Sequence, residues 1–335
     1  MHYQEAEAAS YLALASEAAS KVRGTTSPNP PVGAVIVDRH GRVAGVGATQ
    51  PPGGPHAEIE ALRQAGSRAE GGSAFVTLEP CNHQGRTGPC SEALLQAGIE
   101  EVYFANADPN AEASGGGEFL RQHHIAVVHV DALTPELVPW LTALKHGRPC
   151  VTLKFAQSLD GFVAAPDGTS QWITGRTARE YVHADRQHRD AIIIGTGTAL
   201  ADNPSLTARF PDGTLRENQP RAVVIGRRPI KAACPNLVTR GYSQYPDLET
   251  ALSTLWQEGC RDVLIEGGPT LAGAALRAGV VDKVQAYVAP CILGEGKPVI
   301  AGPGASTLAD ATRGAHTTTT QLGADVLIEF SLSAS

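Results

Sequence analysis

Apolar positions in the first 150 residues fall into short runs separated by glycine and proline clusters. Residues 4–22 are alanine-rich, with Tyr11, Leu12, Ala15 and Ala19 at helical spacing, which predicts an opening amphipathic helix stopped by Gly24. A proline-rich stretch, 25–31, leads into a strand at 32–37, and the turn Asp38-Arg39-His40-Gly41-Arg42 returns the chain as a second strand over 43–47. The breaker cluster 51–55 precedes a helix from His56 to about Gln64. Further on, strands are expected at 74–78, 102–105 and 125–130. Helices are expected at 90–97, from the glycine run 115–117, and over 134–146. This alternation predicts a three-layer α/β domain.

Gly147-Arg148-Pro149 reads as a linker, which divides the chain into domains 1–147 and 148–335. The pattern then restarts with a strand at 151–155, a helix at 177–187 and an apolar strand at 191–194 that ends in the glycine turn 195–198. A strand at 263–265 runs into Glu266-Gly267-Gly268-Pro269 and a helix through Ala278, a turn of the kind that binds anions through unpaired N–H groups and the helix dipole. It is not the G-x-G-x-x-G fingerprint, so a Rossmann domain is unsupported. Strands at 284–288 and 326–330 complete the sheet, whereas His316 and the threonine run to Thr320 carry no functional signal.

A formal charge of -7 over 335 residues argues against a nucleic-acid surface and leaves room only for a small phosphorylated partner. The six cysteines show no framework spacing beyond the 81/90 pair, and no apolar run is long enough to cross a bilayer. With no basic-then-apolar leader at the N-terminus, the expectation is a soluble cytoplasmic protein with no membrane partner.

The chemistry concentrates in Pro55-His56-Ala57-Glu58, Pro80-Cys81 and Pro89-Cys90. Three ligands, His56, Cys81 and Cys90, suit a zinc ion that keeps its fourth position for water, where a structural site would close with four. Glu58 is then the proton carrier and not a ligand, as in the H-x-E and P-C-x-x-C signature of zinc-dependent base deaminases. The eight residues between the cysteines make that match loose. Because positions i and i+2 diverge on a regular helix, His56 and Glu58 share a site only if the first turn is irregular. Asn29, in the proline-rich loop, reads from composition as part of a plain connection. A loop arginine such as Arg86 ordinarily reads as solvated, and so do Arg186 and Arg209. The latter two also fit a clamp on a ribose 5-phosphate, since guanidinium meets phosphate oxygens with two parallel hydrogen bonds. Arg227 and Arg228 fit either a contact to a phosphate group or a solvated turn.

The chain resembles the bifunctional deaminase/reductase family of riboflavin biosynthesis. The strings that carry the likeness are Thr26-Ser27-Pro28-Asn29-Pro30-Pro31-Val32-Gly33, Pro55-His56-Ala57-Glu58 and the stretch Glu79-Pro80-Cys81-Asn82-His83 through Pro89-Cys90. In the second half they are Lys154-Phe155-Ala156-Gln157-Ser158-Leu159-Asp160-Gly161 and Ser170-Gln171-Trp172-Ile173-Thr174-Gly175. The long gap between cysteines is that family's own form. The resemblance implies a cytidine-deaminase-like α/β/α domain followed by a dihydrofolate-reductase-like α/β domain, with Zn2+ and NADPH as cofactors. It implies zinc on His56, Cys81 and Cys90, Glu58 as catalytic proton shuttle, and Asn29, His83 and Arg86 as pyrimidine or phosphate contacts. In the reductase half it implies a sugar-phosphate site of Ser170, Arg186, Leu206, Arg209 and Glu266. The implied NADPH contacts are Lys154, Gln157, Trp172, Thr198, Asp202, Gly267, Gly268, Pro269, Thr270, Leu271 and Ala272. Lys154, Asp160 and Glu266 are the candidates for the proton that accompanies the hydride. The implied substrate is a phosphorylated diaminopyrimidine, and a homodimer follows by analogy. The competing readings are a paralogous deaminase of a related pyrimidine or pterin-like compound with a degenerate second domain, and a zinc-stabilised scaffold without catalysis.

Overall fold

The computed structural model describes residues 3–83, 88–110 and 113–332. They form two compact units, Met1–Lys145 and His146–Ser335. In the first, the order is α1 (Glu5–Ser20), β1 (Gly33–Val37), β2 (Val43–Ala48), α2 (Ala57–Ala65), β3 (Ser73–Val76), α3 (Cys90–Gln96), β4 (Glu101–Phe104), α4 (Gly116–Gln122), β5 (Ala126–His129) and α5 (Val138–His146). The five strands lie in the order β2-β1-β3-β4-β5. β1 pairs antiparallel with both neighbours, while β3, β4 and β5 run parallel. Alternation along β1 explains the three layers. Ala34 and Ile36 pack with Ala57, Ala61, Leu94 and Leu120 of α2, α3 and α4, whereas Val35 and Val37 pack with Ala8, Leu12 and Ala15 of α1. The last helix starts at Val138 and not at Thr134 because Pro139, which lacks an N–H, is tolerated only in a first turn.

Close packing on β2 sets where α2 begins. A Cβ added at Gly47 would lie 2.2 Å from the Ala57 carbonyl oxygen and 2.5 Å from the Ala61 nitrogen. The start of α2 therefore lies directly on the strand. Gly47→Ala is expected to push that helix outward, to cost about 1–3 kcal/mol as overpacking does, and to lower the zinc content of purified protein. Thermal unfolding together with metal analysis checks both parts.

The second unit contains β6 (Cys150–Ser158), β7 (Phe162–Ala164), α6 (Arg176–Arg186), β8 (Ala191–Gly195), α7 (Thr196–Asp202), β9 (Arg221–Ile225), α8 (Pro235–Arg240), β10 (Ser243–Tyr245) and α9 (Leu248–Gln257). β11 (Asp262–Ile265), α10 (Pro269–Arg277), β12 (Lys283–Ala289), β13 (Lys297–Pro298), β14 (Gly314–Leu322) and β15 (Asp325–Leu332) follow. Eight strands form a mixed sheet in the order β10-β9-β8-β11-β6-β12-β15-β14. Its six strands from β10 to β12 are parallel, and the C-terminal hairpin adds antiparallel to β12. One face packs on α9 and α10 through Ala251, Leu255, Leu271 and Ala275. The other packs on α7 and α8 through Ala199 and Leu237, and on α6 through Ala178. The turn expected over 195–198 is instead the start of α7. Burial of Ala199 against Ile192 and Ile194 outweighs the poor helix propensity of Gly197. The threonine run lies in β14, an edge strand exposed along most of its length. Among the described residues, no helix is long and apolar enough to cross a membrane.

Candidate active sites

His56 is the N-cap of α2, with extended backbone (φ -75°, ψ 165°). Leaving the helical path there turns the imidazole away from the direction that an i, i+2 pair in a regular helix would impose, so Glu58 in the first turn can share its site. Cys81 lies five residues past the end of β3, and Cys90 is the first residue of α3. α4 begins against the same loop: a Cβ at Gly116 would lie 1.8 Å from the Pro80 carbonyl oxygen. The Gly117 N–H donates to Glu79 Oε1 at 2.9 Å.

These elements bring His56 Nδ1 to 3.5 Å from Cys81 Sγ and 3.4 Å from Cys90 Sγ. A tetrahedral zinc with Zn–N of about 2.0–2.1 Å and Zn–S of about 2.3 Å needs N and S roughly 3.5 Å apart. The three ligand atoms lie within 4.8 Å of one another, and among the described residues no fourth His, Cys, Asp or Glu joins them. The electrostatics point the same way. Cys81 is pulled down to about 4, first by its hydrogen bond with Cys90 and also by His56, against its burial. Cys90 is pushed up by that same bond, then by burial and by Glu58. Glu58, 4% exposed, is raised to about 7 by burial and then by the charge on Cys81. One nitrogen and two sulfurs at this spacing, with a buried carboxylate beside them, are donors of the kind zinc takes. The donor set fits zinc.

His83 lies just past Cys81, and its Nδ1 is buried with no hydrogen-bond partner among the described residues. Asn29 is fixed by a turn in which its N–H donates to the Thr26 carbonyl at 2.9 Å and its carbonyl accepts from the Thr26 hydroxyl at 3.1 Å. Arg86 lies outside the described residues.

The second unit holds a cavity of about 730 Å³ lined by Lys154, Ser170, Trp172, Arg186, Thr198, Asp202, Leu206, Arg209 and Glu266, among others. Glu266 follows β11 directly and is 8% exposed at its side chain. Arg186 Nε and Nη2 donate to its two oxygens at 2.7 and 2.8 Å, and Arg186 Nη1 donates to the Thr207 carbonyl at 3.0 Å. Burial pushes the Glu266 carboxyl up, but Arg186 and then Lys154 outweigh it and hold it at about 2. Lys154 Nζ stands 3.9 Å from Glu266 Oε2. Burial lowers the Lys154 pKa, opposed by Glu266. Leu206, 4% exposed, takes φ 50°, a left-handed conformation that a leucine keeps only where its surroundings impose it.

Two family models match the chain: the cytidine and deoxycytidylate deaminase zinc-binding region over residues 5–106, and the RibD C-terminal domain over residues 149–328. The riboflavin biosynthesis protein RibD of Corynebacterium ammoniagenes is 57% identical over 307 residues, 90% of this chain and 91% of that protein. The chain belongs to the RibD family. RibD of Mycobacterium tuberculosis H37Rv is 44% identical over 95% of both chains. Acinetobacter baumannii RibD has the same fold, with a TM-score of 0.86 at 34% identity over 98% of this chain and all of that one. A deaminase/reductase crystal structure from Thermotoga maritima gives 0.83 at 29% identity, over 99% and 100%. As a RibD protein, the chain is a bifunctional deaminase and reductase of riboflavin biosynthesis, with the α/β class expected for both halves.

The two arginines expected to clamp a phosphate both line the cavity, with different partners. Arg186 directs its parallel pair of hydrogen bonds at Glu266 and not outward. Arg209 donates from Nε to the Thr207 hydroxyl at 2.6 Å and lines the same cavity, as do Arg176 and Arg179. Gln157 and the stretch from Gly267 to Ala272 are not among the residues that line the cavity. The Gly268 N–H donates to Thr198 Oγ1 at 3.0 Å, and Leu271 and Ala272 are core residues whose N–H groups bond the Gly268 carbonyl. Asp160 lies away from the cavity lining, where its carboxylate accepts from the Leu293 and Gly294 N–H groups. His183 was not anticipated. It lines the cavity and donates from Nδ1 to the Thr207 carbonyl at 2.9 Å. Its signal was present as the helical spacing of Arg179, His183 and Arg186 on α6.

Proposed function

We propose that the chain catalyses two consecutive steps on one phosphorylated pyrimidine: zinc-dependent hydrolytic deamination in the first unit, then NADPH-dependent reduction of the ribosyl group to ribityl in the second. The observation that carries this reading is the meeting of one nitrogen and two sulfurs at zinc spacing beside the buried Glu58. The substrates are those for which the Thermotoga relative is named: a diaminohydroxyphosphoribosylaminopyrimidine, and the 5-amino-6-(5-phosphoribosylamino)uracil that its deamination yields.

His56, Cys81 and Cys90 would hold a zinc ion, which when bound would make hydroxide available from water at neutral pH. Glu58 accepts the proton released there and returns it to the departing amino nitrogen, so the nitrogen leaves as neutral ammonia. Asn29, His83 and Arg86 hold the pyrimidine and its phosphate, and the buried Nδ1 of His83, which has no partner among the described residues, supports its part in this. In the second unit bound NADPH would supply a hydride for C1′ of the ribosyl group. Trp172, Thr198 and Asp202 hold the dinucleotide, with Gln157 and the 267–272 turn beside it. Ser170, Leu206, Arg209 and the Arg186–Glu266 pair shape the sugar-phosphate end.

The opened sugar oxygen also takes a proton. Glu266, held at about 2, has none to give near neutrality. Lys154 does, and its lowered pKa makes it the better acid. Lys154→Met is expected to slow NADPH oxidation on the deaminated intermediate by roughly 10²-fold or more, with ammonia release unchanged; stopped-flow absorbance of NADPH reads the first and an ammonia assay the second.

The whole reading is tested by incubating the protein with the diaminopyrimidine phosphate, adding NADPH, and following mass by chromatography. The expected trace is exchange of one amino group for oxygen, then gain of two hydrogens only after NADPH is added. A paralogue with a degenerate reductase would stop at the first change. A homodimer and a cytoplasmic location belong to the same reading, and light scattering on the purified protein checks the former.

A further inference from the structure

Tyr287 is among the residues that line the reductase cavity, and no role has yet been given to it. Tyr287 lies in the middle of β12 and is 1% exposed. Its ring is enclosed by Ala178 and Val182 of α6 and by Leu322 and Leu327 of the C-terminal hairpin. These contacts satisfy the ring and say nothing of the oxygen. Tyr287 Oη is buried, and no described residue offers it a hydrogen bond. The same side chain lines the cavity shared with Lys154, Arg186 and Glu266, and Lys154 Nζ stands 5.5 Å from the centre of its ring.

A buried hydroxyl without a partner destabilises a fold, whereas phenylalanine would fill the same space without that cost. Packing therefore accounts for an aromatic ring at this position and leaves its hydroxyl unexplained. Such a group in a cavity wall is satisfied when a ligand brings an acceptor. The neighbouring Glu266 does not fill that need: its carboxylate accepts from Arg186, and no hydrogen bond joins it to Oη. Burial, and next the nearby Asp185 carboxylate, push the phenol far above its ordinary pKa. Oη therefore keeps its proton and acts as a neutral donor.

We propose that Tyr287 is a substrate-contacting residue of the reductase site, whose hydroxyl donates a hydrogen bond to an oxygen of the bound sugar phosphate. This rests on the reductase reading above and assigns a further residue to it. The hydrogen bond forms only in the complex, so the free protein carries the cost of the unmet donor and the bound ligand relieves it.

Tyr287→Phe tests the proposal because it removes one oxygen and keeps the ring. The variant is expected to melt at the wild-type temperature or above it, and to bind NADPH with unchanged affinity by fluorescence titration. Its kcat/KM for the deaminated intermediate is expected to fall roughly tenfold, the loss of about one neutral hydrogen bond. Binding of ribose 5-phosphate, used alone as a probe in calorimetry, is expected to weaken with it. An unchanged kcat/KM and unchanged probe binding would overturn the proposal. So would a lower melting temperature with parallel losses for NADPH and substrate, since that pattern marks an internal structural bond. Wild-type protein is the control: if it fails to reduce the intermediate, the reductase reading fails, while the melting and probe-binding arms still judge Tyr287.

Discussion

Glu58→Gln is expected to leave the zinc stoichiometry of the wild-type protein intact and to slow ammonia release by about 10²–10⁴-fold, the usual worth of a positioned proton carrier. Glutamine matches glutamate in shape, so the buried first turn of α2 that holds residue 58 keeps its packing. What disappears is the group that takes up and returns a proton. His56, Cys81 and Cys90 still meet at ligand spacing without it, so metal is retained. Reduction of supplied deaminated intermediate by NADPH should proceed at the normal rate, because the cavity that would carry it is lined by the second unit alone. Cys90→Ser serves as the contrast, since it removes a thiolate ligand and should lose zinc and ammonia release together. Ammonia release at the wild-type rate from a zinc-loaded Glu58→Gln protein would show that the proton travels by another route.

The first unit was largely legible in the sequence because its signals are local. Its apolar runs are bounded by glycine and proline, and the strings around His56, Cys81 and Cys90 each mark a strand end or a helix start. The irregular first turn required of α2 is present, with His56 as its cap. The second unit was harder for two physical reasons. Its central ion pair joins residues 80 positions apart, Arg186 at the end of α6 and Glu266 after β11, and periodicity carries no information on which carboxylate meets which arginine. Without that pairing an arginine in a helix reads as a free cation. Similarly, β14 alternates no apolar residues because it is an exposed edge strand, and α7 hides behind two glycines that tertiary packing overrules. Tyr287 could not have been singled out from sequence, since only the structure shows that its oxygen has no partner.

The Arg186–Glu266 pair also carries the largest expected stability effect. Glu266→Gln leaves the Arg186 guanidinium buried without its counter-charge, an arrangement that costs about 3–5 kcal/mol. For a unit of this size that is roughly a 10 °C fall in the melting temperature of the second unit. Replacing both partners, Arg186→Met with Glu266→Leu, removes the unpaired charge and should cost less than either single change. Acid sensitivity should move as well. Glu266 falls from an ordinary carboxylate value of 4.5 to about 2 in the folded protein. Between those values the unfolded chain binds the extra proton and the folded one does not, so stability is full above pH 4.5 and is lost as pH falls towards 2. The window is worth about 3 kcal/mol in the wild-type protein. In Glu266→Gln that share of the slope should vanish, leaving a lower but flatter profile in urea unfolding followed from pH 5 to 2. An unfolding profile as steep as the wild type's would mean that other buried pairs, such as Arg189 with Asp262 at 2.8 Å, carry the acid response instead.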